Sequence, residues 1–247
     1  MRRAVALLLL AGCASTAPAR VSREPAAPPP ADPAAVRAFL DEAARAGSPE
    51  ETVALCARVL TWERPLDQCD VTAAGPVAVI RVAERCNDAG CEVSAFLLRD
   101  AVPRKVAGYT GGNIAVRGDG ATVFADHVAL EGAGATAHFT AYVVQTDVVT
   151  AQVTKVADCT GPSVAADGSL LCRSRRGDVL RVPPTGGAPV LLTPSCLEEG
   201  QVAWDPQHLV FPGPVDLNTD GTFSAVTQLT DPAAPAHVFR GALAAGK

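Results

Sequence analysis

The chain is 247 residues long and carries 21 basic against 26 acidic side chains, a net charge of −5. That balance excludes nucleic acid as a partner, because binding a phosphate backbone needs a basic footprint. Aromatic residues make up only 4% of the chain, so recognition by stacking on bases or sugars is excluded as a dominant mode.

At the amino end, Arg2 and Arg3 precede an apolar run from Ala4 to Ala11. Two positive charges followed by a short apolar run have the form of a signal peptide. The run is too short for a permanent membrane helix, which needs about 20 apolar residues. It closes on Leu10-Ala11-Gly12-Cys13. This tetrapeptide resembles the bacterial lipobox, a branched residue and two small residues before a cysteine. The resemblance implies that residues 1–12 are removed and that Cys13 is acylated, palmitate included, as the first mature residue. It also implies anchoring in a membrane through that lipid. Ala14 in place of Asp implies transfer to the outer membrane, facing the periplasm. Taking Arg2 and Arg3 from the 21 basic side chains leaves 19 against 26 acidic ones, a net charge of −7.

Residues 13–31 are rich in Ala and Pro, including Pro28-Pro29-Pro30, and show no apolar periodicity. Such a segment cannot bury enough surface to offset its ordering entropy, so it is expected to be a disordered tether.

Residues 32–62 are expected to form a helical hairpin. Asp32 suits a cap, Pro33 a first helical position and Gly47 a stop. Val36, Phe39, Leu40 and Ala43 share one face between them. Ser48 and Glu51 then make a capping-box pattern with Pro49 at the first position. The second helix would bury Val53, Cys56, Ala57 and Leu60.

Seven cysteines follow Cys13, and outside the cytoplasm they are expected to pair. Cys86 and Cys91 flank a turn-forming Asn87-Asp88-Ala89-Gly90 and can face each other across a hairpin. Cys56 and Cys69 can pin the helical part to the first strands. Among Cys159, Cys172 and Cys196 one is left over. No CxxC occurs, so zinc-ribbon and thioredoxin-type sites are not expected.

From about residue 70 the apolar period becomes two, with Gly, Asp and Pro as punctuation. Segments Asn113–Gly120, Ser163–Gly168 and Val202–Pro206 align as short strands ending in tight turns, with aspartate spacings of 48 and 38 residues. A looser copy precedes them, with strands near Val77–Val82, Glu92–Leu98 and Arg104–Ala107. The sharpest copy is residues 161–193, GPSVAADGSLLCRSRRGDVLRVPPTGGAPVLLT. It resembles the repeat of TolB-like, WD40-like β-propellers at Asp167, Gly168, Leu171, Ser174, Arg175, Gly177, Gly186, Gly187, Leu192 and Thr193. The usual aromatic and Ser-Pro before Asp-Gly are replaced by Val164, Ala165 and Ala166. The expected fold is therefore mainly β: about four propeller-like, four-stranded blades over 70–247, preceded by the helical hairpin. Such an array closes into a ring, or stays open and is completed by the helices or by another copy. A β-sandwich is the alternative.

Several motifs lack the context their chemistry needs. Gly132-Ala-Gly134-Ala-Thr-Ala137 fits a dinucleotide fingerprint, but strand rather than helix follows it. Gly241–Lys247 fits part of a phosphate loop without the Ser/Thr or the helix. The four histidines, His127, His138, His208 and His237, show no metal-site spacing, and no GxSxG elbow occurs. Asp216-Leu-Asn218-Thr-Asp220-Gly-Thr222-Phe-Ser224 places oxygen ligands at alternate positions around a glycine, which suits Ca²⁺. It resembles the calcium loops of integrin-type propeller blades, with Ser224 where that family has Asp and Thr227 where an EF-hand has Glu. Two carboxylates imply a weak site, and the same residues also suit a plain polar turn. No other cofactor is expected.

The functional expectation is a non-enzymatic protein-binding or scaffold module, lipid-anchored in the cell envelope. The TolB-like resemblance implies protein contacts across the loop face and an envelope partner. The alternative is a secreted hydrolase assembled from distant residues, recognisable by a deep pocket with a strongly shifted Ser, His or carboxylate.

Overall fold

The computed structural model describes residues 32–87, 90–194, 214–218, 220, 222–227 and 237–243. The expected signal segment, Cys13, the tether, Cys196 and the repeat copy at Val202–Pro206 lie outside the described residues. Among the described residues, no helix is long and apolar enough to cross a membrane.

Two helices open the domain, α1 (Pro33–Arg45) and α2 (Pro49–Val59). Asp32 caps α1 by accepting the N–H groups of Ala34 and Ala35. Ser48 Oγ accepts the Glu51 N–H, while Glu51 reaches back one residue further than a capping box does, to the Gly47 N–H at 2.6 Å. Val36 and Phe39 of α1 and Leu55 and Cys56 of α2 are buried. Leu55 joins the core beside the expected Cys56 and Leu60, whereas Val53 and Ala57 only flank it.

Fifteen described strands follow, in four antiparallel sheets. The first contains β1 (Gln68–Ala74), β2 (Val77–Asn87), β3 (Gly90–Leu98) and β4 (Pro103–Lys105). The second contains β5 (Ile114–Val116), β6 (Thr122–Glu131), β7 (His138–Asp147) and β8 (Val153–Ala157). The third contains β9 (Thr160–Val164), β10 (Leu170–Arg173), β11 (Val179–Val182) and β12 (Val190–Thr193). The fourth contains β13 (Asp216–Leu217), β14 (Thr222–Thr227) and β15 (His237–Ala242). Each sheet is a meander with strands in sequence order, which makes it one blade of a propeller-like array. Three blades have four strands and the last has three among the described residues.

The period of two explains how the blades stack. In β2, Val77 and Val79 face the second blade, while Ala78, Ile80 and Val82 face the helices. In β6, Val123 faces the first blade and Phe124 the third. In β10, Leu170 and Cys172 face the second blade and Leu171 the fourth. A sheet apolar on both faces needs a neighbour on each side. The helical hairpin supplies that neighbour for the first blade, with Trp62 edge-on to Phe96 at 5.5 Å. The face that would meet a last blade in a closed ring is thus already covered. Phe223 and Ala225 of the fourth blade face the third. Its alternate residues Asp216, Thr222 and Ser224 are polar, as suits the end of a stack.

Three disulfides join the expected pairs Cys56–Cys69 and Cys86–Cys91, and Cys159–Cys172 as the third. The first ties α2 to β1. The third lies in the core between the second and third blades, with both cysteines fully buried.

Candidate functional site

The first hairpin turns of the blades are equivalent. They are Gly75–Pro76, then the turns holding Asp119–Gly120 and Asp167–Gly168, then the turn holding Asp220. In the second blade, Asp119 accepts the N–H groups of Ala121 and Thr122 and the Thr122 hydroxyl. Asp167 accepts the N–H and hydroxyl of Ser169 and a guanidinium N–H of Arg181. Asp220 accepts the N–H of Thr222 at 2.9 Å and its hydroxyl at 2.6 Å. An aspartate at the head of a tight turn thus does the same work three times, holding the chain reversal through its own backbone. Burial pushes the Asp119 carboxyl up, but its three hydrogen bonds outweigh this and hold it below the usual range. Hydrogen bonds from Ser169 and from Thr222 likewise lower Asp167 and Asp220.

Consecutive turns lie against each other. Gly120, at φ +64°, has no room for a side chain because Val77 and Pro76 of the first blade stand where its Cβ would be. Between the second and third blades the turns bound an open groove of about 460 Å³, lined by Val116–Asp119 and Val164–Gly168. Arg117 covers the Phe124 ring at 5.2 Å beside it.

The residues singled out for calcium fall in the hairpin of the fourth blade. Asp216 stands opposite Ser224 in the ladder. Asn218 donates its N–H to the Thr222 carbonyl and its side-chain amide to the Thr222 hydroxyl, so Asn218, Asp220 and Thr222 bond to one another. Among the described residues, no group of three or more His, Cys, Asp or Glu side chains is placed to hold a metal. The Gly132–Ala137 segment is the connection between β6 and β7, with one 3-10 turn at Gly134–Thr136. Gly241 lies in β15 under the Phe223 ring. His127 and His138 each address a backbone carbonyl, of Gly108 at 2.6 Å and Thr136 at 3.1 Å. The His127 ring also packs on Tyr142.

Sequence reasoning missed the seam chemistry. Two residues beyond the apolar contact to the next blade, the second strand of each of the first three blades carries a charge: Arg81 after Val79, Asp126 after Phe124, Arg173 after Leu171. Arg81 donates to Asp70 across the ladder. Asp126 is fully buried and accepts three N–H donors at 2.9 Å, two from Asn113 and one from Gly161 of the third blade. Burial pushes its carboxyl up to about 6, against those hydrogen bonds. Arg173 is also fully buried, and desolvation lowers its guanidinium to about 10. The available signal was a charge on the strand face that alternation assigns to the core.

No protein-family model matches the chain, and no curated protein matches it. Two solved structures from Bacteroides thetaiotaomicron VPI-5482 are similar to it. One is a structural-genomics protein of unknown function, 16% identical with a TM-score of 0.31, matched over 64% of this chain and 51% of its own. The match thus spans about half that protein's length. The other is an endo-arabinase, 10% identical with a TM-score of 0.32, matched over 73% of this chain and 76% of its own.

Proposed function

We propose that the chain is a lipid-anchored lipoprotein of the cell envelope whose blade array is a non-enzymatic protein-binding or scaffold module. The lipobox-like Leu10–Cys13 supports the anchor, and three disulfides accord with an oxidising compartment. The observation that carries the binding role is what the carboxylates do. Asp126, with the one carboxyl raised to near neutrality among the described residues, is sealed in a seam between blades. Asp119, Asp167 and Asp220 hold turns. A hydrolase needs such groups converging on substrate; here they serve the scaffold, and the exposed groove between the second and third blades is left for contact. Its rim is formed by turns held by the hydrogen bonds of Asp119 and Asp167, which limits the entropy lost when a partner docks.

The test is site-specific photocrosslinking in intact envelopes from Ala166 in the groove, with Arg37 on the helical hairpin as control. A discrete adduct from Ala166 alone is expected, and Cys13→Ser should release the chain from the membrane fraction. Equal background at both positions would overturn the binding role, and a variant that stays membrane-bound would overturn the anchor.

A further inference from the structure

The β2–β3 hairpin outruns its neighbours. β1 pairs with β2 only as far as Gln68 opposite Ala83, and β4 pairs with β3 only over Phe96–Leu98. From Glu84 outward the hairpin is two-stranded, and there Cys86 and Cys91 are joined with both residues exposed. The other disulfides are more enclosed: Cys159 and Cys172 are each 0% exposed, and in Cys56–Cys69 a fully buried Cys56 is joined to a half-buried Cys69. The Cys86–Cys91 link is not the only contact at this end of the hairpin among the described residues. Arg85 pairs with Glu92, and the Cys86 N–H donates to Asp67 at 2.8 Å. The link also spans only five positions against 13 for the other two, so it restricts the unfolded chain least.

Position adds a second argument. The Asp32 N–H donates to the Arg99 carbonyl, which fixes the start of the domain beside the rim where β2 begins. The cysteines lie at the other end of β2, about 30 Å along the strand at ~3.3 Å per residue. They lie at the opposite end of the strand from the start of the described domain.

We infer that Cys86–Cys91 is a thiol–disulfide exchange site, opened and re-formed by a protein dithiol while the two more enclosed disulfides keep the fold. A thiolate of the dithiol attacks one sulfur, the Cys86–Cys91 bond breaks, and the departing sulfur takes a proton. The second thiol of the partner gives up its proton and attacks the mixed disulfide. The chain then holds two thiols and the partner one disulfide, two electrons having passed; the reverse sequence restores the clip. The reading above enters only in naming the envelope as the source of the dithiol.

In the full chain, thiols free at the outset are blocked with N-ethylmaleimide. Dithiothreitol is then raised stepwise, and new thiols are trapped with a heavier maleimide and mapped by mass spectrometry. Cys86 and Cys91 should label together at a reductant level at least about tenfold below that needed for the two more enclosed pairs, as exposure dictates. Far-UV circular dichroism should not change at that step. A Cys86→Ser/Cys91→Ser variant should fold and lack this first step. Earlier labelling of Cys56–Cys69 or Cys159–Cys172, or opening of all three only as the fold is lost, would overturn the inference. A Cys13→Ser chain that stayed in the membrane would instead overturn the anchor and leave this result standing.

Discussion

The carboxylate of Asp126 in β6 accepts the backbone N–H of Gly161 in β9 at 2.9 Å, so one buried side chain of the second blade holds the first strand of the third. Burial raises this carboxyl to about 6, above the 3.8 of an ordinary aspartate, so the folded chain binds the proton more tightly than the unfolded one. Its stabilising contribution is fully present below pH 3.8 and is lost as pH rises through about 6. The size is on the order of 3 kcal/mol. The melting-temperature difference between wild type and Asp126→Asn, followed by circular dichroism, should widen as pH falls from 7 to 4. A difference that narrows would reverse the assignment. At neutral pH Asp126→Ala should cost about 2–4 kcal/mol more than Asp126→Asn, because it leaves buried N–H groups of Asn113 and Gly161 without an acceptor.

Loss of the Cys56–Cys69 link should free the helical hairpin from β1. A Cys56→Ala/Cys69→Ala variant should lose about 3 kcal/mol, the cost for a loop of this length. Denaturant melts should also become less cooperative, with Trp62 fluorescence changing before the β signal. A single coincident transition would show that apolar packing alone holds the helices.

Asp119→Ala should lower stability by about 1 kcal/mol, as the loss of a local side-chain cap does. Asp220→Ala should lower the thermal midpoint in the same direction, and equally with or without millimolar Ca²⁺. A wild-type midpoint that rises with Ca²⁺, and a variant whose midpoint does not, would assign an ion to Asp216, Asn218 and Asp220.

Gly241 faces Phe223 across the ladder of the fourth blade, and a Cβ there would stand 2.5 Å from the ring. Gly241→Ala should cost about 1–3 kcal/mol by overpacking. Adding Phe223→Leu should recover part of that loss in a double-mutant cycle, as expected for contacting residues. Additive losses would mean that the two positions do not touch.

Much of the architecture was legible in the sequence because it rests on local rules. Asp32, Pro33, Ser48 and Pro49 announce two helices, and alternation with Asp-Gly punctuation announces blades. The pairs Cys56–Cys69 and Cys86–Cys91 followed from spacing, whereas the partner of Cys159 depended on which strands packed together. The fourth such turn, at Asp220, stands in the sequence as a motif that suits either Ca²⁺ or a plain polar turn, while the copy at Asp205 lies outside the described residues. A turn and a weak calcium loop need the same residues, and only the hydrogen bonds to Thr222 show what Asp220 holds. The seam residues Asp126 and Arg173 were not legible, because their burial depends on contacts between blades more than 30 residues apart.

The helices on the outer face of the first blade bear on how such proteins can change in length. A ring closes only at a fixed number of units, since each must subtend its share of a full circle. A stack whose first blade is covered by helices does not need a last blade to cover that face. Inserting or deleting one internal repeat would leave the helical cover with the neighbour it already fits.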